Sequence, residues 1–399
     1  MLPGGATDCH TSLGSAEGGC VILTLIDADG MVKPVRLLIK SRLLADSIRK
    51  DRRPLLVFVT YNAIGNLLAA LPLLAALRSH LQVFPVIQSA HEDLGRLLVQ
   101  DGILESCLIF EGSLRVRSDP LAYVKTCLAL SRLRPDIVGI YGKLNMAYSA
   151  RLGLLRAGRV LFCHPRGLGP RTNQTFQVLP PTGNLTRDYL QFADQLGVPV
   201  THTRIQLTDL TKGQLEQGAR PLTNWPPYAV VAPWTGSPFR DAPLQFFREC
   251  MEFMVKECRL PLVITGLPQH RSAVPDLLKG LPKQWIRDLV GNTTLAEILG
   301  ILAGARFVLT SDGGTLHLTR LVGTRAIVAF GPSTSAVLFH NSPEEIVPLH
   351  LGLSCSPCEK TPRRYQCPGE YFQCLRGLNV AIAKDALLAA CRAAVDRGR

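Results

Sequence analysis

The chain has 399 residues, of which 44 are Lys or Arg and 31 are Asp or Glu, so its formal net charge is +13. Hydrophobic residues make up 47% and charged residues 19%, which excludes a disordered chain, and the length predicts two globular domains. The positive charge favours an acidic partner, either a phosphorylated substrate or an anionic membrane surface. No nucleic-acid partner is predicted, because the basic residues are spread along the chain without an aromatic-interleaved RNA motif.

No apolar run reaches the roughly 18 to 20 residues that a membrane span requires. The first residues contain neither the basic region nor the apolar core of a secretory signal. We therefore expect a cytoplasmic protein, with contact to the inner membrane at most peripheral. In that compartment most of the 12 cysteines should be reduced thiols.

Residues 1–53 predict an N-terminal β-hairpin appendage. Two runs of β-forming residues, Cys20–Ile26 and Val32–Ile39, flank the turn Asp27–Gly30. A lone hairpin is only marginally stable. We therefore expect it to pack on the main body or on another subunit, and the second arrangement would give a homo-oligomer.

From Pro54 onward, short apolar runs alternate with longer helical runs. Strands are predicted over residues 55–60, 83–87, 107–110, 137–141 and 160–162, and helices from after Asn66 to about 78, over 121–133 and over 187–196. Because the strands are nearly continuous apolar runs, this order predicts a parallel sheet covered by helices on both faces.

After a polar stretch predicted as a linker, residues 201–227, the pattern begins again. Strands are predicted over residues 228–232, 262–265, 307–310 and 326–330, and helices over 244–258, 295–302, 316–321 and 380–397. Two such α/β halves predict a cleft between them, with ligands at the carboxyl ends of the strands. The predicted domains are the appendage 1–53, an N-terminal domain 54–215, a C-terminal domain 216–378 and a final helix 379–399.

The strongest candidate ligand loop lies between the predicted strand 307–310 and the helix 316–321. It contains Ser311, Asp312, Gly313, Gly314, Thr315 and His317. Two glycines allow close backbone approach, and the N–H groups at a helix start favour phosphate. Asp312 and Thr315 can hydrogen-bond sugar or ribose hydroxyls. The alternative is an ordinary strand-to-helix turn with Asp or Thr as the N-cap.

Two further loops of the second half carry candidate binding residues. Thr235, Ser237 and Arg240 follow its first strand, and Arg can hold a diphosphate in a bidentate fork. Gly266 and Gln269 follow the next strand, where Gln269 could reach a ribose. The alternative for the first of these loops is a proline-rich turn with an exposed arginine.

In the first half, Ile64, Gly65 and Asn66 occupy the corresponding loop after strand 55–60. Asn66 can serve catalysis or simply cap the helix that follows. Pro72 predicts that this helix either is kinked or begins later than the residue after Asn66.

Four cysteines lie close together in the sequence, while others, such as Cys107, Cys127 and Cys250, are scattered as core residues are. The four are Cys355, Cys358, Cys367 and Cys374, in the spacing C-x2-C-x8-C-x6-C. Four thiolates suit a tetrahedral zinc ion or a thiolate-bound iron, which would order the poorly apolar insert 359–366. The alternatives are four reduced thiols or a disulfide. Nearby basic residues could contact phosphate or an acidic surface, namely Lys360, Arg363, Arg364 and Arg376.

Three ordered segments resemble the ADP-heptose:lipopolysaccharide heptosyltransferases of glycosyltransferase family nine. LLVFVTYNAIGNLLAALPLLAALR resembles the opening strand, loop and helix of that family, and SDGGTLHLTRLVGTRAIVAFGPS resembles its donor loop. The Cys-x-x-Cys run before Cys374 matches a late segment of many members. The resemblance covers about Leu55–Arg397.

The resemblance implies a GT-B architecture, in which two Rossmann-like domains face a cleft. It also implies inverting transfer of a sugar, most simply heptose from ADP-heptose, to a lipopolysaccharide core without a metal at the reaction centre. The N-terminal domain would take the acceptor, and Ser311–His317 would hold the donor. Arg240 stands near the family's donor-phosphate lysine and Gln269 near its ribose-binding glutamate.

The main departure is Asn66, where the family usually has the Asp that deprotonates the acceptor hydroxyl. An amide cannot act as a base at neutral pH. Either another group is the base, with His91, Asp93 and His164 as candidates, or the acceptor differs, or catalysis is lost.

The N-terminal hairpin and the cysteine segment together resemble heptosyltransferases that modify autotransporter proteins, which makes a protein acceptor an alternative to lipopolysaccharide. Two other functions stay open: a non-catalytic nucleotide-sugar-binding or assembly protein, and a nucleotide-sugar epimerase.

Overall fold

The computed structural model describes residues 11–15, 21–26, 32–39, 52–60, 64–110, 134–142, 157–163, 176–219, 222–334, 345–358, 367 and 372–396, with backbone alone for the first three stretches. The chain divides into two compact units. One consists of Met1–Thr182 and Thr186–Ile205, and the other of Gly183–Leu185 and Gln206–Arg399. The domain limits stated above stay predictions.

The first unit is built on a nine-stranded sheet. Its strands are β1 (Thr11–Ser15), β2 (Val21–Ile26), β3 (Val32–Ile39), β4 (Leu55–Val59), β5 (Gln82–Gln88), β6 (Ser106–Phe110), β7 (Ile137–Tyr141), β8 (Arg159–Cys163) and β9 (Phe176–Leu179). The spatial order is β1-β2-β3-β6-β5-β4-β7-β8-β9. In this spatial order, every neighbouring pair from β6 across to β9 is parallel. The pairs β1·β2, β2·β3 and β3·β6 are antiparallel.

Three described helices follow strands of this sheet, namely α1 (Ile64–Leu77), α2 (Glu92–Asp101) and α3 (Leu185–Gln195). The mostly buried α1 runs through Pro72, so the alternative of a later helix start is wrong. In α2, Leu94, Leu98 and Val99 are buried, which is the spacing expected for one face of a helix.

The second unit is built on a six-stranded, fully parallel sheet. Its strands are β10 (Ala229–Ala232), β11 (Leu262–Ile264), β12 (Ile286–Asp288), β13 (Val308–Ser311), β14 (Ala326–Ala329) and β15 (Ile346–Leu349), in the order β12-β11-β10-β13-β14-β15. All residues of β10, β13 and β14 are buried, as expected for strands covered on both faces.

The helices of the second unit are α4 (Asp209–Gly218), α5 (Leu244–Cys258), α6 (Val274–Leu278), α7 (Leu295–Ala303), α8 (Gly314–Val322), α9 (Gln373–Arg376) and α10 (Val380–Asp396). The final helix α10 packs on α5, and α7 packs on α4. Gly300 permits the second contact, because a Cβ atom there would overlap the backbone of Leu215.

The predicted α/β fold is confirmed, with six parallel strands in each sheet and a β-hairpin appendage on the first. The hairpin of β2 and β3 adds a third strand, β1, and β3 pairs antiparallel with β6. It therefore extends the main sheet of its own unit. The hairpin turn 27–30 and the predicted helix 121–133 lie outside the described residues.

The prediction of an irregular linker over residues 201–227 is wrong, because α4 lies within it. The side chain of Thr208 caps α4 by accepting a hydrogen bond from the backbone N–H of Thr211 at 3.3 Å. Within the part of the chain that the structure describes, no helix is both long and apolar enough to cross a membrane.

Candidate functional site

Both sheets reverse their strand order at one point, and the candidate loops lie there. The parallel strands are ordered 3-2-1-4-5-6 in each unit, so the order reverses between β4 and β7 and between β10 and β13. In such sheets ligands bind outside the carboxyl ends of the strands at this reversal. The loop of Thr235 and Arg240 follows β10, and the loop of Asp312 follows β13.

In the second unit, the buried carboxylate of Asp312 contacts side chains from two other loops, Ser333 and Arg240. Its residue exposure is 1%, and its Oδ2 atom accepts a hydrogen bond from the Ser333 hydroxyl. The Arg240 guanidinium Nη1 lies 3.6 Å from the same oxygen, and its side chain is 27% exposed. The carboxylate thus anchors a guanidinium that still reaches solvent, where a ligand phosphate could meet it.

The loop that carries Arg240 is held by its own hydrogen bonds. The backbone N–H of Thr235 donates to Asp241 Oδ1 at 2.7 Å. The Thr235 hydroxyl donates to the carbonyl of Ser237 at 2.8 Å and accepts from its N–H at 3.0 Å. Burial raises the pKa of Asp241, and the hydrogen bonds from Thr235 oppose that rise. These bonds fix the backbone leading to Arg240.

The two loops touch at Gly313. A Cβ atom at this position would lie 2.9 Å from the Cβ of Thr235, which is closer than real side chains approach. Gly313 is also the N-cap of α8, so the alternative in which Asp312 or Thr315 caps this helix is wrong. Gly314 is exposed with open space beside it. The first N–H groups of α8 are therefore not covered by a capping side chain, which suits an anion.

His317 lies one turn into α8 and is buried. Burial and the nearby cations Arg320 and Arg240 lower the pKa of its imidazole to about 3. The imidazole is therefore neutral at neutral pH, and the positive charge of this site comes from the arginines.

Gly266 and Gln269 lie in a neighbouring part of the second unit. The Trp234 and His270 rings are stacked 5.0 Å apart at 15°, and a Cβ atom on Gly266 would lie 2.8 Å from the Trp234 ring. Gln269 is exposed in the short 3₁₀ segment Pro268–Ala273. Position 266 therefore has no room for a side chain beside the Trp234 ring, while Gln269 is exposed to solvent.

In the first unit, Ile64, Gly65 and Asn66 form the first turn of α1 and are half-buried. Asn66 is therefore the third helical residue and not the residue that precedes the helix. His91 ends the turn that follows β5, next to β4 in the sheet, and Asp93 is exposed in α2. Residues 61–63 and His164 lie outside the described residues.

The four clustered cysteines lie in the second unit, from exposed Cys355 to buried Cys374. Burial, together with the thiols of Cys367, Cys358 and Cys355, raises the pKa of Cys374 to about 11. The three other thiols thus lie near enough to Cys374 to disfavour its thiolate form. Among the residues that the structure describes, no group of three or more His, Cys, Asp or Glu side chains is arranged to hold a metal ion. The metal site stays a prediction, and residues 359–366, with Lys360, Arg363 and Arg364, lie outside the described part.

Sequence reasoning missed Ser333, Asp241 and the ring pair of Trp234 with His270. Ser333 had a usable signal, since it follows β14 directly after Gly331 and Pro332, at the same sheet edge as Asp312. Asp241 had a weaker sequence signal, since it is a carboxylate that lies just before the start of α5.

Comparison with known proteins agrees with this geometry. Residues 178–368 match the family model described as Glycosyltransferase family 9 (heptosyltransferase). Lipopolysaccharide heptosyltransferase 2 of Escherichia coli K12 is 24% identical over 230 residues, which are 56% of this chain and 62% of that protein. The chain spans between 28% and 62% of the length of the curated relatives it matches.

Solved structures share the fold. E. coli ADP-heptose lipopolysaccharide heptosyltransferase II superposes with a TM-score of 0.61 at 15% identity, covering 84% of this chain and 98% of that one. The iron-containing dodecameric glycosyltransferase TibC from enterotoxigenic E. coli H10407 superposes with a TM-score of 0.53 at 14% identity. The superposition covers 86% of this chain and 77% of that one.

The fold is that of the GT-B heptosyltransferases. Residues 178–368, which match the family 9 model, are therefore the heptosyltransferase-like part of the chain.

Proposed function

We propose that the chain is an inverting glycosyltransferase that moves a sugar, most simply heptose, from ADP-heptose to a lipopolysaccharide core or a protein acceptor. The observation that carries this proposal is the loop pair of the second unit, where Asp312 holds Arg240 beside the open N-terminus of α8. A guanidinium and free helix N–H groups together suit a diphosphate.

The donor residues proposed are the two loops together with Gly266 and Gln269. Arg240 and the N–H groups of Gly314 and Thr315 would hold the diphosphate, while Asp312 would orient Arg240. We propose that no metal takes part in the reaction itself, because Arg240 and α8 supply positive charge for the leaving diphosphate.

The acceptor would bind at the first unit, where Asn66 and His91 follow neighbouring strands at the same sheet edge. Inversion needs a base on the face of the sugar opposite the leaving diphosphate. Asn66 cannot serve, so His91 and Asp93 are the described candidates. The N-terminal β element and the four clustered cysteines keep a protein acceptor as an alternative to lipopolysaccharide.

Incubation with ADP-, UDP- and GDP-sugars tests the proposal. We expect slow hydrolysis of ADP-heptose without an acceptor, and transfer when lipopolysaccharide core or an unmodified autotransporter fragment is added. Binding without turnover would instead support a non-catalytic binding protein, and an altered sugar would support an epimerase. No binding of any donor would contradict the proposal.

Replacing Asn66 by Asp tests the acceptor side. The first turn of α1 contains no acidic residue, so a carboxylate at its third position should stabilise the helix by about 0.3–1 kcal/mol through the helix dipole. We expect turnover to rise, because the carboxylate can also accept the acceptor proton. Turnover of the wild type, Asn66→Asp and Asn66→Ala is measured beside thermal unfolding.

A fall in turnover of Asn66→Asp would assign Asn66 a positioning role with the base elsewhere. Equal turnover of all three proteins would contradict the placement of the acceptor site.

We also propose that Cys355, Cys358, Cys367 and Cys374 bind one zinc or iron ion. Thiolates at Cys355, Cys358 and Cys367 would repel a thiolate at Cys374 unless a cation lay among them. The ion would be structural, since its ligands are all cysteines with no open position.

Metal analysis of purified protein checks this proposal. We expect about one zinc or iron ion per chain and loss of that ion in Cys358→Ser, because three thiolates hold a structural ion less tightly than four. Cys258→Ser is the matched control, since Cys258 is a half-buried thiol of the same unit. Wild-type protein with no metal, or unchanged stability on chelation, would refute the site.

A further inference from the structure

The cysteine segment, defined as residues 353–358, 367 and 372–376, contacts the loop of Arg240 and the turn of Ser333, whose side chains both reach Asp312. These contacts link it to the candidate donor site along two separate paths.

The first path runs through two phenylalanines. The Phe372 ring lies 5.3 Å from that of Phe239, which precedes Arg240 in the chain. Phe372 is buried, and its backbone has φ of 57°, a left-handed conformation that is unfavourable for a non-glycine residue. Its N–H donates to the Cys367 sulfur at 3.4 Å. The segment thus holds Phe372 in an unfavourable conformation, with its ring against the residue that precedes Arg240.

The second path runs through the turn that follows β14. The Ser356 hydroxyl donates to the carbonyl of Gly331, and the Cys358 N–H donates to that of Pro332 at 2.8 Å. The next residue, Ser333, donates its hydroxyl to Asp312. The cysteine segment thus fixes the turn whose serine bonds the Asp312 carboxylate.

Leu375 of the cysteine segment also packs against the turn that follows β14. A Cβ atom on Gly331 would overlap the Leu375 side chain, so the turn lies directly on the segment. Both paths end on the two oppositely charged groups that face each other in the donor loops, Arg240 and Asp312.

We propose that the cysteine segment is a positioning element for the donor site, in which Phe372 fixes Arg240 and Ser356 fixes the turn that bonds Asp312. This inference rests on the proposed function, because it takes Arg240, oriented by Asp312, to bind the donor diphosphate. Phe372 and Ser356 act through these residues and do not themselves touch the ligand.

The test is the dissociation constant of ADP, measured by calorimetry beside the melting temperature. Coupling through packed side chains predicts that Phe372→Ala and Ser356→Ala weaken ADP binding about 3- to 30-fold. Phe372→Tyr, which keeps the ring, should restore most of the affinity. Phe253→Leu is the matched control, because Phe253 is a partly buried aromatic residue of the same unit whose ring faces Lys384. It should leave the ADP affinity unchanged even if it lowers the melting temperature.

A double-variant cycle separates positioning from general destabilisation. In an Arg240→Gln background, Phe372→Ala should cause little further loss of ADP affinity, because its effect passes through Arg240. Equal losses in both backgrounds would overturn the inference.

The two proposals fail in different ways. If the wild type binds ADP and Asp312→Asn weakens that binding, while Phe372→Ala and Ser356→Ala match the wild type, only the positioning role is wrong. If the wild type does not bind ADP at all, the proposed function fails and the positioning role fails with it.

Discussion

Asp312→Asn and Arg240→Gln should each weaken binding of ADP-heptose by about 10- to 150-fold. A charge-assisted hydrogen bond in a desolvated site contributes about 1.5–3 kcal/mol, and 1.4 kcal/mol corresponds to a factor of ten. Arg240→Gln removes the cation that would face the diphosphate. Asp312→Asn keeps the shape of the side chain but removes the charge that holds the guanidinium, now 3.6 Å from Oδ2.

Both variants should remain folded, so that the loss is one of affinity. Asparagine can still accept the hydrogen bond that Ser333 donates to Asp312. Asp276→Asn and Arg248→Gln are matched controls, since both change the same residue types in the same unit, and Arg248 donates to the Asp276 backbone carbonyl at 3.5 Å. Unchanged ADP-heptose affinity in both site variants would refute the donor site.

The strands and their terminal loops could be predicted from the sequence because their signals are local. Continuous apolar runs such as those of β10 and β13 indicate strands buried on both faces, and a glycine-rich turn before a helix marks a ligand loop. Short elements could not be predicted, because a local signal needs several residues to show its pattern. The strand β12 has three residues, Ile286–Asp288, too few to show a period.

Helix α4 shows a signal that was present but overlooked. Thr208 precedes Asp209, a capping residue followed by an acid in the first turn, which is typical of a helix start. The polar composition of the surrounding stretch favoured a linker instead, although a helix needs only one apolar face.

The contacts within the candidate site could not be predicted locally. Arg240 and Asp312 belong to loops after different strands, and only the pairing of β10 with β13 brings these loops together. Ser333 likewise reaches Asp312 because β14 pairs with β13. The sequence therefore predicts which loops form the site, but the contacts between their side chains depend on the pairing of the strands.

His317 should make the second unit markedly less stable in mild acid. Its pKa is lowered to about 3 by burial, and by the positive charges of Arg320 on α8 and Arg240 on the neighbouring loop. Glu345 offsets part of this charge, as its Oε2 lies 3.8 Å from Arg320 Nε. In the unfolded chain the imidazole has its ordinary pKa of about 6.5.

The sign of the effect follows from proton binding. Between about pH 6.5 and pH 3 the unfolded chain binds a proton at His317 that the folded chain excludes, so the folded state loses stability as the pH falls through this window. Each pH unit costs about 1.4 kcal/mol, which gives about 2 kcal/mol between pH 7 and pH 5. Above pH 7 the imidazole is neutral in both states, and this contribution no longer changes.

Comparison of the wild type with His317→Gln isolates this contribution, because glutamine keeps a hydrogen-bonding side chain and does not titrate. Denaturant unfolding at pH 7 and pH 5 should show a drop in the free energy of unfolding that is about 2 kcal/mol larger for the wild type. His80→Gln is the control for an exposed histidine, since His80 lies at the surface after α1. An equal drop in the wild type and His317→Gln would mean that His317 can accept a proton in the folded chain, and that the imidazole is not held neutral beside Arg240.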